Sequence, residues 1–119
     1  MTWKQRIKNL FATGVFSTTA KLMMVLYYWI LGGITDADAA ELFLECGFTF
    51  TKPTATGSII LTDETTNYTI VSLITAYHNN DYSNSYIVPY QIIDAINDIH
   101  SDGYITDQEQ TDLIGLGWN

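Results

Sequence analysis

Apolar residues at Trp3, Ile7, Leu10 and Phe11 recur at helical spacing and predict one stripe of a short first helix, which Gly14 stops. Ser17 is placed to cap a second helix that runs to Leu31 and ends at Gly32-Gly33. This second segment is hydrophobic on every side, so it is expected at the centre of the domain or beneath another chain. A third helix is predicted from Thr35, with Asp36 and Asp38 in its first turn, and closes at Gly47. Thr35 and Asp38 approximate a capping box in which aspartate replaces the usual glutamate.

The pattern then changes. Phe48-Thr49-Phe50-Thr51 alternates, Pro53 and Gly57 punctuate, and 58–62 and 68–74 are rich in β-branched residues. Two or three short strands are expected, including a hairpin over 63–67. A helix over 62–77 competes with the second strand, because Ile70, Leu73, Ile74 and Tyr77 also fit helical spacing; threonine density favours the strand. A polar loop follows, Tyr86-Ile87-Val88 extends, and Pro89 suits the first position of a helix carrying Ile92, Ile93 and Ile96. A last helix runs from Thr106 towards Gly115.

One pattern occurs twice. Gly33-Ile34-Thr35-Asp36-x-Asp38 returns as Tyr104-Ile105-Thr106-Asp107-x-Glu109, Leu42 falls on Leu113, and the units finish in Gly47-Phe48 and Gly117-Trp118. Each unit reads as helix, glycine turn, capped helix, then glycine and an aromatic. Two helical hairpins that pack on one another or bracket the central strands would satisfy both copies. Two units are too few for a solenoid.

The expected fold class is therefore α+β: two helical hairpins around a small antiparallel β region, with an all-α fold as the alternative. At 119 residues, 47% of them hydrophobic, the chain is one domain with a real core. It divides into a hairpin unit at 17–48, a β-rich middle at 48–88 and a hairpin unit at 89–118.

Charge is placed unevenly. Lys4, Arg6, Lys8 and Lys21 precede every acid, whereas residues 34–119 set Lys52 against thirteen acids, for a net −8 overall. Either the basic first helix lies on the acidic remainder of its own domain, or copies and partners meet head to tail. The acidic balance argues against nucleic acid. The uncharged run from Leu22 to Ile34 is thirteen residues long, short of the ~20 that cross a bilayer, so no membrane span is expected.

Asp98 to Glu109 resembles an EF-hand calcium loop. Asp98, Asp102, Tyr104 through its carbonyl, Thr106 and Glu109 would be the ligands, with Gly103 at the turn. His100 stands where an oxygen ligand is usual. The same residues also read as a Ser-Asp-Gly turn followed by a Thr-x-x-Glu capping box, which needs no ion.

Trp3-x-x-x-Ile7, Gly14-Val15-Phe16-Ser17 and Gly33-Ile34-Thr35 with its acidic first turn resemble the short XkdX-type tail proteins of bacteriophages, over residues 3–48. That resemblance implies a small non-enzymatic virion component of tail or neck, made in the host cytoplasm, whose partners are other virion proteins or further copies of itself. It carries over no catalytic residue.

Catalytic patterns are lacking in the sequence. His78 and His100 stand in no nucleophile or metal motif, Cys46 reads as a small core residue, and Gly32-Gly33 lacks the lysine of a phosphate cradle. Eight tyrosines and three tryptophans exceed what one small core usually hides. The expected interface is the Trp3, Ile7, Leu10 and Phe11 face together with Tyr82, Tyr86 and Tyr90, since such rings bury large area at modest entropy cost.

Overall fold

A computed structural model describes residues 1–51, 60–63, 65–80 and 87–118. In chain order the elements are α1 (Trp3–Ala12), α2 (Thr18–Ile30), α3 (Asp36–Glu45), β1 (Thr49–Thr51), β2 (Ile60–Thr62), β3 (Asn67–Thr69), α4 (Ile70–Asn80), α5 (Pro89–Ser101) and α6 (Asp107–Ile114). No helix among the described residues is long and apolar enough to cross a membrane.

α2 is the axis of the molecule. Leu22, Met23, Met24, Val25 and Leu26 are all fully buried, and α1, α3, α4 and α5 all pack on this helix. A segment apolar on every side needs cover on every side, and these four helices supply it from the same chain. α6 packs on α5 and α4 and closes the second half of the core with Ile92, Ile96, Ile99 and Leu113.

The β element is small. Three three-residue strands pair antiparallel in the order β1-β2-β3, with Phe50 opposite Leu61 and Leu61 opposite Tyr68. The hairpin expected over 63–67 is present: Asp63 accepts backbone hydrogen bonds from Thr65 and Thr66, an Asx turn that joins β2 to β3. β1 leans on α3 and β3 on α4, so the strands flank the helices, and the hairpins pack directly on one another through α2 and α5. Helix dominates so far that an all-α description fits at least as well as α+β.

The expected strand over 68–74 is corrected. Extended chain stops at Thr69, and from Ile70 the backbone is helical, burying Ile70, Leu73, Ile74 and Tyr77 on one face. Threonine and serine here serve as caps. Ser72 N–H donates to Thr69 Oγ1 at 3.1 Å, and Thr69 N–H donates to Ser72 Oγ at 2.8 Å. Farther along, Thr75 Oγ1 donates to the Val71 carbonyl. β-Branched hydroxyl residues that raise strand propensity can also satisfy the loose ends of a helix, and burial of four apolar side chains decided between the two. The middle of the chain is accordingly part helix.

Candidate functional site

The two hairpin turns are built alike, position for position. At the end of α2, the N–H groups of Leu31, Gly32 and Gly33 donate to the carbonyls of Tyr27, Trp29 and Tyr28. At the end of α5, those of Asp102, Gly103 and Tyr104 donate to Asp98, His100 and Ile99 in the same pattern. Gly32 and Gly103 take φ of 83° and 81°, a left-handed turn that glycine enters without the Cβ clash. Buried Ile34 and Ile105 follow, and then Thr35 and Thr106 cap α3 and α6 through the N–H groups of Asp38 and Glu109. Gly47 and Gly117, at φ of 87° and 89°, release the chain to buried Phe48 and Trp118.

A side-chain clamp spans each turn. Trp29 Nε1–H donates to Asp36 Oδ1 at 2.7 Å, and His100 Nε2 bonds Asp107 Oδ1 at 2.6 Å. In both, a ring in the last turn of one helix holds the first carboxylate of the next. The rings differ in setting: Trp29 is buried edge-on against Phe43 and Phe50, whereas His100 is only partly buried. The repeated sequence pattern pointed to both turns. It did not show the clamps, because Trp29 and His100 look unrelated until their ring N–H groups are placed.

Between the turns lies a cleft of about 150 Å³. The first hairpin lines it with Trp29, Ile30, Ile34, Thr35 and Asp36, and the second with Asp102 and Tyr104.

Of the residues read as calcium ligands, Thr106 and Glu109 are joined as a reciprocal capping box. Thr106 N–H donates to Glu109 Oε1 at 2.9 Å, and Glu109 N–H donates to Thr106 Oγ1 at 3.1 Å. One Glu109 oxygen is thus engaged by a backbone N–H. Asp98 lies within α5, its carbonyl taken by the Asp102 N–H, while Asp102 and Tyr104 line the cleft. Among the described residues no group of three or more His, Cys, Asp or Glu side chains is disposed to hold a metal.

The expected interface stripe on α1 is turned inward in part. Ile7 is fully buried and belongs to the core; Leu10 and Phe11 pack against it; Trp3 stacks on Tyr28 with ring centroids 4.6 Å apart. The stripe's own chain covers Ile7, whereas Trp3 keeps 39% of its surface exposed and Leu10 and Phe11 are half-buried. Tyr27, Tyr28 and Tyr77 are buried too, so the fold absorbs much of the aromatic excess. Tyr90 stays outside at 68% exposure, and Tyr82 and Tyr86 lie outside the described residues.

Part of the charge asymmetry closes within the chain. Lys4 reaches Asp38 at 3.8 Å and Glu41 at 3.3 Å; Lys8 reaches Glu41 at 3.0 Å and Glu45 at 3.7 Å. Hydrogen bonds from Lys8, then from Lys4, hold the Glu41 carboxyl below the usual range, and the bond to Glu41 raises Lys8. Arg6 and Lys21 lie over the rings of Trp3 and Phe11.

Cys46 is half-buried, and burial pushes its thiol up to about 11, with Glu45 adding to the rise and Lys21 opposing it. A thiol so disposed is a poor nucleophile at neutral pH. His78 Nε2–H donates to the Gly117 carbonyl at 2.9 Å, and its ring meets Trp118 edge-on, which ties α4 to the chain's last turn. No family model matches this chain, and neither a curated protein nor a solved structure does.

Proposed function

We propose that the chain is a non-enzymatic structural or assembly protein of a bacteriophage particle, a tail or neck component that works through protein–protein contact. Val88 and Tyr90 carry this reading: two large apolar side chains left exposed, at 42% and 68%, where α5 begins. An exposed tyrosine beside an exposed β-branched residue gives a partner a rigid, desolvatable anchor. The resemblance to XkdX-type proteins supports it, because the residues that carry that resemblance build a local scaffold. Ile7 is core, Gly14 turns at φ 71°, and Ser17 and Thr35 are helix caps.

Its partners are other virion proteins or further copies of itself, and its place is the particle. Peptide mass spectrometry of density-banded particles tests this, together with the native mass of the purified protein. Presence in the particle at a defined copy number, lost in Tyr90→Ala while the variant remains folded, is expected. A stable monomer absent from particles would overturn the proposal.

A further inference from the structure

We propose that the chain associates head to tail with further copies of itself, the Trp3 and Arg6 corner of α1 seating on the exposed start of α5 in the next copy. This contact rests on the assembly reading, whose anchor is Tyr90, and deepens it by naming the partner as a second copy.

Two patches of opposite charge carry it. The first is aromatic and basic. Trp3 keeps 39% of its surface exposed while it stacks on Tyr28, and the Arg6 guanidinium lies over the indole, 4.8 Å from its centroid. Leu31, 40% exposed, follows Tyr28 by three residues and continues the same side of the chain. The second patch is aromatic and acidic. Val88 and Tyr90 stand exposed where α5 begins, and exposed Asp94 follows Tyr90 by four residues, one helical turn along the same face.

Both charges are open to a partner. Among the described residues neither Arg6 nor Asp94 enters an ion pair, whereas Lys4 and Lys8 are held by the acids of α3. A guanidinium resting on one ring can offer its other face to a second ring and its N–H edge to a carboxylate. Tyr90 and Asp94 supply that ring and that carboxylate side by side.

Charge also sets the occupant and the polarity. The Arg6 patch calls for an acidic partner with an exposed ring, and the chain itself, at net −8, presents one at α5. Pairing like patches would bring arginines together, or aspartates together, and both arrangements repel. The unlike pairing is heterologous, so it closes into a ring or runs on as a filament. Each patch is small, and a single contact is expected to be weak, with a dissociation constant on the order of 100 µM.

Sedimentation velocity of the full chain over a concentration series tests the contact, with circular dichroism confirming that each variant is folded. The wild type should form species larger than a dimer as concentration rises, and added salt should reverse them. Arg6→Glu or Asp94→Arg alone should weaken association roughly tenfold or more, because each sets like charges face to face. An equal mixture of these two variants should regain it, since every junction between unlike chains then joins opposite charges. Asp112→Arg, the same change of charge at an exposed site on α6, should associate as the wild type does. A wild type that stays monomeric at millimolar concentration, single variants that associate normally, or a mixture as weak as its parts overturns the proposal. Monomers that are nevertheless built into particles overturn this contact and leave the assembly role to other virion proteins. Head-to-tail oligomers absent from particles support the contact and overturn the placement in a particle.

Discussion

The two hairpins share a turn and differ in what locks it. In the first, α2–α3, the clamp ring is a buried tryptophan braced by Phe43 and Phe50, and the cap of α3 is one-sided, from Thr35 alone. In the second, α5–α6, the clamp ring is a half-exposed histidine, and the cap is reciprocal, Thr106 with Glu109. Tertiary packing thus secures the first turn and local hydrogen bonding the second. One backbone design can be held by burial or by capping, because either satisfies the same orphaned helix ends.

The largest expected effect breaks the symmetry outright. Trp29→Ala removes a buried ring and should cost about 3–5 kcal/mol in a denaturant titration, whereas His100→Ala should cost about 1 kcal/mol or less. Equal losses would show that the two clamps are equivalent and that burial does not distinguish them. Next come the shared features. Gly32→Ala and Gly103→Ala force alanine into the left-handed region, and each should lose about 1 kcal/mol, the same within error, because the φ angles agree.

Caps should follow the reverse order from clamps. Thr35→Ala and Thr106→Ala should each cost about 1 kcal/mol, with Thr106→Ala the larger because Glu109 loses its reciprocal arrangement. Helix-resolved amide exchange reads this out at α3 and α6.

A smaller, pH-dependent effect acts through the α1–α3 ion pairs. Glu41 titrates lower in the fold than in the unfolded chain, so its contribution is present above the ordinary glutamate range and is lost as pH falls through its depressed value. Lys8 titrates higher, so its contribution is present below the ordinary lysine value and is lost as pH rises past its raised one. Exchange of α1 amides should therefore quicken in acid, and Lys8→Met should flatten that response. Smallest of all, Cys46 should react with iodoacetamide at pH 8 far more slowly than in the unfolded chain, since its thiol lies near 11.

Much of this was legible in the residues. Helical periodicity located α1 to α3, α5 and α6, and the cap residues Ser17, Thr35 and Thr106 fell where their side chains now accept backbone hydrogen bonds. The repeat of Ile-Thr-Asp after a glycine turn announced two like hairpins. What misled was local ambiguity: Thr69 and Ser72 read as strand formers and act as helix caps. Of the α1 stripe read as an interface, Ile7 is taken into the core while Trp3 stays 39% exposed.

By itself the sequence determined where helices start and stop, because capping and left-handed glycine turns are local chemistry within about four residues. Only the tertiary structure decided which faces meet. It set α1's lysines on α3, placed α2 at the centre, and brought Trp29 and Asp36 within reach of Asp102 and Tyr104 across some seventy residues of chain. Such contacts depend on how far-apart segments close on a common core, and no periodicity along the chain encodes that distance.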